Sequence, residues 1–518
     1  QIYNAASGEI YVTGKNVTGI YLAGRTTTVE NLGKIVITNT GGADENGVGI
    51  RYTSDFNTAN IIGGPGNISG TGYAETGFTS KSYELPELPT LINSGEITID
   101  VGDKFSYENL KVIVKVDPST NTATTSASSQ VGFGGSTIPE KLEITPDFSQ
   151  GTSADRYVLQ NIFRGLDGKG QYISQSLTWD ATGQGSDIVM TRISYEKFTD
   201  GLWYEDFGRT LNKKYAGQTG DGLKVFDKID MIQSEPEFRH AMASLAGNVY
   251  ANINQREADI ASILSNSHDF LQNSENNTKE NVKINIIAGR GRTNEDTDGV
   301  VPYDYTTAGV LALREVERTY RHTFGYSLGY LHTGFEFKDD NKSEEWVDTI
   351  QLGLHNKYEA SGWKLRNDLT GRMSFHNIDR NIDWPSPVGR SEMNGTYETY
   401  SVTLDNIIGK EIPVGKKVSI TPYGAFKAMY VTRPTFSESG LERLEVEGSD
   451  AWSAKPRAGV EFKAAVPLGS KTAWELKGAL DLAYEYELAG LNEREYAKLI
   501  AVEDGYHKLS KPEEEKGT

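Results

Sequence analysis

Residues 320–330, Tyr-Arg-His-Thr-Phe-Gly-Tyr-Ser-Leu-Gly-Tyr, alternate between two kinds of side chain. The even positions are nearly all aromatic or aliphatic, whereas the odd positions are Arg321, Thr323, Gly325, Ser327 and Gly329. Side chains two residues apart lie on the same face of a β-strand, so this segment predicts a strand with one apolar face. The segments 346–358 and 474–486 show the same alternation, with aromatic residues at the ends of the apolar face. Strands of this kind are typical of barrels that turn their apolar face to lipid.

The connections between the predicted strands support a membrane barrel. Long polar connections are predicted at 292–303, 336–345, 376–396, 431–451 and 487–494, and short ones at 314–319, 359–362, 409–416 and 466–471. Outer-membrane barrels have longer extracellular loops and tight periplasmic turns. The alternation therefore predicts an antiparallel outer-membrane β-barrel of about ten strands. The alternatives are a porin-like barrel and a soluble β-rich protein.

One long helical stretch, 222–272, precedes the predicted barrel. Ser234 to Glu237 form a capping-box pattern with a proline in the first turn. An apolar stripe follows, consisting of Phe238, Met242, Leu245 and Val249. After Ile253 most faces are polar, which suits a helix inside a polar pore. We expect the helix at about 254–272 to lie in the barrel interior.

Residues 1–100 contain a loose repeat, seen at 7–24, 31–52 and 93–100. Each copy has a small or polar residue and a glycine, followed by a β-branched run, and rungs of roughly 20–26 residues are typical of β-solenoids. The repeat predicts the end of a right-handed parallel β-helix, and an ordinary β-sandwich is the alternative. Residues 101–208 contain strand-like segments that predict a sheet cap. Its expected core is Trp179, Ile188, Met190, Ile193 and Tyr195.

Composition excludes several classes of protein. The chain has 518 residues, 55 Gly, 27 Tyr and a net charge of −19, so a nucleic-acid partner is not expected. It has no Cys, which excludes zinc-thiolate and iron–sulfur sites and thiol catalysis. The first residue is Gln1 and no signal peptide follows, so we expect a cut through a longer chain.

Three stretches resemble the classical monomeric autotransporters of type V secretion. KIDMIQSEPEFRHAMASLAGNVYANINQ at 228–255 resembles the linker helix of that family. ITPYGAFKAMYVTRPTFSESG at 420–440 resembles a mid-barrel strand and its loop, and LTWDATGQGSDIVMTRISY at 177–195 resembles the end of the passenger. The resemblance implies an all-β chain that is truncated at both ends, with about ten of an expected twelve barrel strands.

The resulting domains are the end of a passenger β-helix at 1–100, an autochaperone-like cap at 101–208, a linker with the pore-threading helix at 209–281, and an incomplete β-barrel translocator at 282–518. The resemblance implies that the translocator secretes the chain's own N-terminal passenger and displays it on the surface of a Gram-negative bacterium. We expect an adhesin passenger with a role in virulence, and the alternative is an upstream esterase or protease.

The expected partners also follow from the resemblance. They are outer-membrane lipid, the barrel-assembly machinery, periplasmic chaperones and a host or bacterial surface ligand of the passenger. The chain is expected to be a monomer that is not an enzyme and has no cofactor.

No catalytic, cofactor-binding or metal-binding residue is assigned from the sequence. Gly325 to Gly329 match the Gly-x-Ser-x-Gly motif of hydrolases, but that motif requires a strand-to-helix turn, and here it lies within a strand. The seven His residues are scattered. Asn276-Asn277 lies where some family members cleave themselves, and a polar loop is the preferred interpretation. Lys364, Arg366, Asp368 and Arg372 are expected to line the pore against the helix.

Overall fold

The structure is a computed structural model. It describes residues 2–5, 7–15, 17–22, 28–31, 33–40, 47–52, 90–93, 96–99, 102–106, 109–117, 122–124, 131–132, 141–147, 154–159, 163–164, 171–184, 187–274, 278–293, 297–385, 388–415, 417–467, 475–514 and 516–517. The chain divides into an N-terminal unit, residues 1–198, 211–238 and 385–388, and a C-terminal unit, residues 199–210, 239–384 and 389–518.

Eighteen short strands form the described sheet structure of the N-terminal unit. They are β1 Ile2–Asn4, β2 Glu9–Gly14, β3 Thr18–Leu22, β4 Thr28–Asn31, β5 Lys34–Asn39, β6 Gly47–Tyr52, β7 Thr90–Asn93, β8 Glu96–Ile99, β9 Gly102–Ser106, β10 Asn109–Asp117, β11 Thr122–Thr124, β12 Val131–Gly132, β13 Lys141–Asp147, β14 Arg156–Leu159, β15 Phe163–Arg164, β16 Gln171–Ser174, β17 Trp179–Gln184 and β18 Asp187–Arg192.

Consecutive strands at the start of this unit belong to three different parallel sheets. One is ordered β1-β4-β7-β10, the second β2-β5-β8 and the third β3-β6-β9. Within β5 the side chains of Ile35 and Ile37 are fully buried, whereas Thr38 is exposed. This arrangement follows from the alternating β-branched residues, which can bury one face of each strand.

Antiparallel pairing joins β10 to β11 in the first of these sheets, and near residue 180 the strands β14, β18 and β17 also lie side by side in antiparallel order. Trp179, Ile188, Met190 and Tyr195 are buried there as predicted, whereas Ile193 is only half-buried. The Trp179 ring lies 5.3 Å from that of Tyr157, centroid to centroid. These aromatic and aliphatic side chains form the local core.

A buried carboxylate ties this core to a helix. Asp230 accepts hydrogen bonds from the hydroxyls of Thr178 (2.7 Å), Tyr195 (2.9 Å) and Tyr215 (2.5 Å). Burial raises the pKa of the Asp230 carboxyl, and the three hydroxyl donors act in the opposite direction. The local sequence around Asp230 gives no sign of these contacts, since its partners lie 15 to 52 positions away.

Five α-helices and one 3₁₀ turn lie between the strands of the two units in the described chain. They are α1 Glu196–Thr199, α2 Glu205–Lys214, α3 Gly220–Asp230, α4 Glu235–Ala246, the 3₁₀ turn Asn248–Tyr250 and α5 Ile253–Asn273. The predicted stripe of Phe238, Met242, Leu245 and Val249 is fully buried. Helical structure begins earlier than predicted, at Glu196. None of the helices in the described ranges is both long and apolar enough to cross a membrane.

The C-terminal unit contains one large antiparallel sheet. Its nine long strands are β19 Glu280–Arg292, β20 Tyr303–Thr319, β21 His322–Phe337, β22 Glu344–Ala360, β23 Trp363–Trp384, β24 Gly389–Lys410, β26 Val418–Arg433, β29 Ser449–Pro467 and β30 Glu475–Glu485, paired in this order. The two-residue strand β25 Ile412–Pro413 pairs with β26 and brings the sheet to ten strands.

In this sheet apolar side chains lie on the exposed face and polar side chains on the buried face, which is the reverse of the arrangement in a water-soluble protein. In β21 Leu328 is 58% exposed and Ser327 is 3% exposed, and Tyr326 and Tyr330 share the exposed face with Leu328. In β22 Ile350, Leu352 and Leu354 are exposed, whereas Thr349, Gln351 and His355 of the same strand are buried. An apolar outer face and a polar inner face confirm the prediction of an outer-membrane β-barrel domain.

The prediction of a long loop at 376–396 is wrong. β23 and β24 are 22 residues each and pair from Trp363↔Lys410 to Trp384↔Gly389. A membrane-spanning strand needs only about 9–11 residues. This hairpin continues beyond that length because Ile378, Ile382 and Met393 are fully buried along it.

Two further short strands follow β30. They are β31 Tyr496–Leu499 and β32 His507–Lys508, which join β27 Phe436–Ser437 and β28 Leu444–Val446 in a four-stranded sheet. Because β27 and β28 lie in a long connection of the barrel sheet, these residues belong to its long-loop end. Leu444, Val446 and Leu499 are fully buried in this small sheet.

Candidate functional site

Helix α5 lies against the inner face of the large sheet. Its Ser267 accepts a hydrogen bond from Asn285 of β19 (2.8 Å), its Asp259 one from Tyr303 of β20 (2.8 Å), and its Gln272 donates to Asp368 of β23 (2.8 Å). In a flat sheet β19 and β23 would lie about 19 Å apart, which exceeds the width of about 10–12 Å of a helix that runs along the strands. The sheet therefore curls around α5, and the prediction that this helix lies inside it agrees with the geometry.

The direction of α5 is fixed by its two ends. Asn252, at its N-terminal end, donates to the carbonyl of Val301 in a long connection, at 2.7 Å. At the other end Lys283 Nζ donates to the carbonyls of Leu271 (2.9 Å) and Ser274 (2.7 Å). Lys283 lies at the start of β19, next to the short-turn end. A helix of 21 residues is about 30 Å long, which equals the thickness of the bilayer core. α5 therefore runs from the long-loop end to the short-turn end.

Near the long-loop end α5 carries a buried charge cluster. Arg256 Nε lies 2.6 Å from Glu345 Oε2 of β22. His376 of β23 contacts Glu345 at 3.0 Å and Glu257 of the helix at 2.9 Å. Tyr397 of β24 donates to Glu345 and lies 3.4 Å from Arg256. Buried charges must be paired and hydrogen-bonded, so this cluster fixes both the position and the rotation of the helix.

Two further buried ion pairs hold the long-loop end together. Arg380 forms a bidentate pair with Glu438, at 2.8 and 2.7 Å, and Tyr250 donates to the same carboxylate at 2.6 Å. Arg433 contacts Glu495 at 2.6 Å, and Asn254 of α5 donates to Glu495 at 3.2 Å. Bidentate arginine–carboxylate pairs are among the strong hydrogen-bonded contacts.

A second cluster lies toward the short-turn end of α5. Ser327, His355 and Asp368 come from the neighbouring strands β21, β22 and β23. His355 Nε2 lies 2.8 Å from Ser327 Oγ, and its Nδ1 lies 3.0 Å from Asp368 Oδ1. His268 of the helix stacks on His355, with ring centroids 3.7 Å apart. No local sequence pattern predicts this grouping, because its members come from three strands and a helix.

The serine–histidine–aspartate chain does not have the surroundings of a hydrolase. Ser327 is buried in the middle of β21, and no helix follows it. Gly353 lies so close that an added Cβ would be 2.4 Å from Ser327 Oγ. A nucleophile needs a site about 3 Å away for the reacting carbon and donors for the oxyanion. The close approach of Gly353 leaves no room for such a substrate on that side.

The predicted pore-lining residues occupy different positions. Arg366 pairs with Asp269 of α5 at 2.8 Å, and Asp368 accepts from Gln272. Arg372 is buried and donates to Ser401 at 3.1 Å and Thr403 at 2.5 Å of β24. Lys364 pairs with Glu411 at 2.7 Å instead of with the helix. Asn276-Asn277 and Trp474 lie outside the described residues.

A family model described as the autotransporter β-domain matches residues 282–517. A second model, described as the BigA β-sandwich domain, matches residues 120–194. No curated protein matches the chain.

Among solved structures, the chain is similar to the translocator domain of the autotransporter NalP from Neisseria meningitidis. The identity is 19% and the TM-score 0.39, over 50% of this chain and 89% of that one. It is also similar to the β-domain of the Bordetella autotransporter BrkA, with 13% identity and a TM-score of 0.30, over 42% of this chain and 83% of that one.

Proposed function

This chain belongs to the autotransporters through its β-domain at 282–517, and we propose on that premise that it displays its own N-terminal unit at the cell surface. The β-domain is an outer-membrane barrel domain that serves secretion of a passenger.

The direction of α5 is the observation that carries this proposal. Residues that precede α5 contact the long connections: Ser244 accepts from Asn341 Nδ2, and His240 lies 3.0 Å from Asp340. The long connections of outer-membrane barrels face the outside of the cell. A chain that enters the helix at this end therefore has its preceding residues outside. The passenger is the part of the chain before α5.

We further propose that the passenger is a β-helical adhesin. The three parallel sheets ordered β1-β4-β7, β2-β5-β8 and β3-β6-β9 support a solenoid, because every third strand returns to the same sheet. Stacked rungs present long side surfaces that suit binding of a ligand. Among the described residues, Ser327 argues against catalysis, because it is buried within a strand and Gly353 approaches it closely on one side.

The proposed partners follow from the surfaces of the C-terminal unit. The exposed apolar side chains of β21 and β22 would contact outer-membrane lipid. A barrel of this kind needs the barrel-assembly machinery and periplasmic chaperones for insertion, and the passenger would bind a host or bacterial surface ligand. One chain supplies both helix and sheet, so we propose a monomer.

The orientation can be tested with epitope tags in intact cells of a Gram-negative host. A tag at the N-terminus and a tag between Asp340 and Asn341 should both be removed by external protease. A matched tag in the short turn at Ser361-Gly362 should stay protected until the outer membrane is permeabilised. Protection of the N-terminal tag, together with exposure of the tag at Ser361, would contradict the proposed direction.

The adhesin proposal has a separate test. Cells that display the whole chain should bind immobilised host-matrix proteins or glycans more strongly than cells that display only residues 199–518. Equal binding by the two strains over a broad panel of such surfaces would count against an adhesive N-terminal unit. Hydrolysis of ester or peptide substrates by the whole chain alone would favour the enzyme alternative.

A further inference from the structure

The second cluster along α5 contains a histidine with an unsatisfied ring nitrogen. His268 is 4% exposed, and its Nε2 has no hydrogen-bond partner among the residues that the structure describes. An unpaired buried polar atom is unfavourable and requires an explanation, such as a water molecule or an ion that completes it. His268 lines a cavity of about 20 Å³, and Asp368 lines the same cavity. A space of this size holds one water molecule or one ion.

The same place brings together three metal-binding side chains. Three buried residues each place one potential ligand atom within 4.8 Å of those of the other two. They are His268, His355 and Asp368. Zinc binds histidine nitrogen at about 2.0–2.1 Å and carboxylate oxygen at about 2.0–2.2 Å, so the ligands must close by about 1 Å. Because His268 lies near the end of α5, a small rotation of its ring can supply this movement.

We propose that His268, His355 and Asp368 bind one divalent transition-metal ion of the zinc type, which fastens α5 to strands β22 and β23. Two imidazoles and one carboxylate favour zinc and similar metals over magnesium or calcium, which prefer all-oxygen sites. Three protein ligands leave a fourth position for a water molecule.

The hydrogen bonds around His355 allow it to bind a metal ion while its imidazole ring stays neutral. An ionised Asp368 can only accept, so a neutral His355 in contact with it carries its proton on Nδ1. When the metal binds Nδ1, the proton moves to Nε2 and is donated to Ser327 Oγ, and no proton is lost. A ligating histidine usually donates its other ring nitrogen to such an acceptor. This assigns Ser327 a positioning role.

The other charges around the cavity balance one another. Asp269 and Asp405 line it as anions and Arg372 and Lys427 as cations, and Arg366 Nε lies 3.0 Å from Asp368 Oδ2. Arg372 donates to the neutral side chains of β24, and Arg366 also pairs with Asp269. The cavity therefore carries no net positive charge that would repel a cation.

The test uses the folded full chain in detergent after treatment with a chelator. Titration with zinc chloride, followed by calorimetry, should show one ion per chain, and cobalt(II) should give the visible absorption bands of a four-coordinate site. Zinc should also raise the temperature at which the barrel unfolds, since a ligand bound only to the folded state stabilises it. Absence of zinc binding by the folded chain overturns the proposal.

Matched variants locate the ion. His268→Ala and His355→Gln should abolish binding, and Ser327→Ala should weaken it by roughly 10–100-fold. His332→Ala is the control, because His332 also lies next to an aspartate, Asp348, at 2.9 Å, but on the exposed face of β21. Folding of each variant is checked by its heat-dependent mobility in gels. Zinc binding that survives in folded His268→Ala, or that is lost in His332→Ala, contradicts the assignment.

Discussion

Replacement of Arg256 by Ala should destabilise the folded C-terminal unit by roughly 3–5 kcal/mol, because one partner of a buried ion pair is removed. Arg256 and Glu345 are both fully buried, and their side chains are 2.6 Å apart. The guanidinium also donates to the carbonyl of Val249 at 3.0 Å and lies 5.0 Å from the centre of the Phe337 ring. Without it, Glu345 keeps a buried charge, with only His376 and Tyr397 as described polar contacts.

The free energy of unfolding is measured by urea titration of the barrel in detergent micelles. Arg314→Ala is the matched control, because Arg314 pairs with Glu280 at 3.2 Å but is 42% exposed. That change should leave the free energy of unfolding close to that of the unaltered chain, because an ion pair in contact with solvent contributes little. The double variant Arg256→Met with Glu345→Leu should recover most of the loss, since apolar replacement of a whole buried pair is often neutral. Equal effects of the Arg256 and Arg314 changes would show that the buried pair does not hold the helix.

The sequence predicted the two faces of the barrel strands because alternation is local. Once Tyr326 and Leu328 are placed outward, Ser327 must point inward, and the same rule places His355 and Asp368 on the inner face. The contact between these three residues depends on strand register, which pairs Ser327 with Gly353 and His355 with Asp368. Register depends on the whole sheet, so alternation alone could not bring the three together.

The partners of α5 were harder to predict for a similar reason. The polar surface after Ile253 correctly indicated a helix in a polar interior, but it did not show which residues pair. Glu257 contacts His376, which is more than one hundred positions later in the chain. The extended hairpin of β23 and β24 was missed because its inward residues, Ile378 and Ile382, are separated by polar residues typical of a loop. Those residues adopt strand structure because they are buried in the folded unit, and the local composition does not show this burial.

Replacement of Trp179 by Ala should remove the protease resistance of the displayed N-terminal unit, with a local cost of roughly 3–5 kcal/mol. Trp179 is 1% exposed and packs on Tyr157, and its neighbour Thr178 donates to the buried Asp230. We expect this segment to fold first outside the cell, because the part of the passenger nearest α5 should emerge first. Each parallel strand that folds onto this segment would bury further Ile and Val side chains and would oppose return of the chain through the barrel. Folding of the passenger therefore depends first on the stability of this segment.

The measurement is digestion of intact cells with increasing amounts of external protease, followed by detection of the N-terminal unit and of the barrel. In Trp179→Ala the barrel should remain folded, as shown by its heat-dependent gel mobility, while the N-terminal unit is cut at lower protease concentration. Tyr11→Ala is the matched control, since Tyr11 is an aromatic residue of β2 in the same unit but is 60% exposed. It should leave the digestion pattern unchanged. If Trp179→Ala and Tyr11→Ala both retain the resistance and surface level of the unaltered chain, this segment is a spacer that does not nucleate folding.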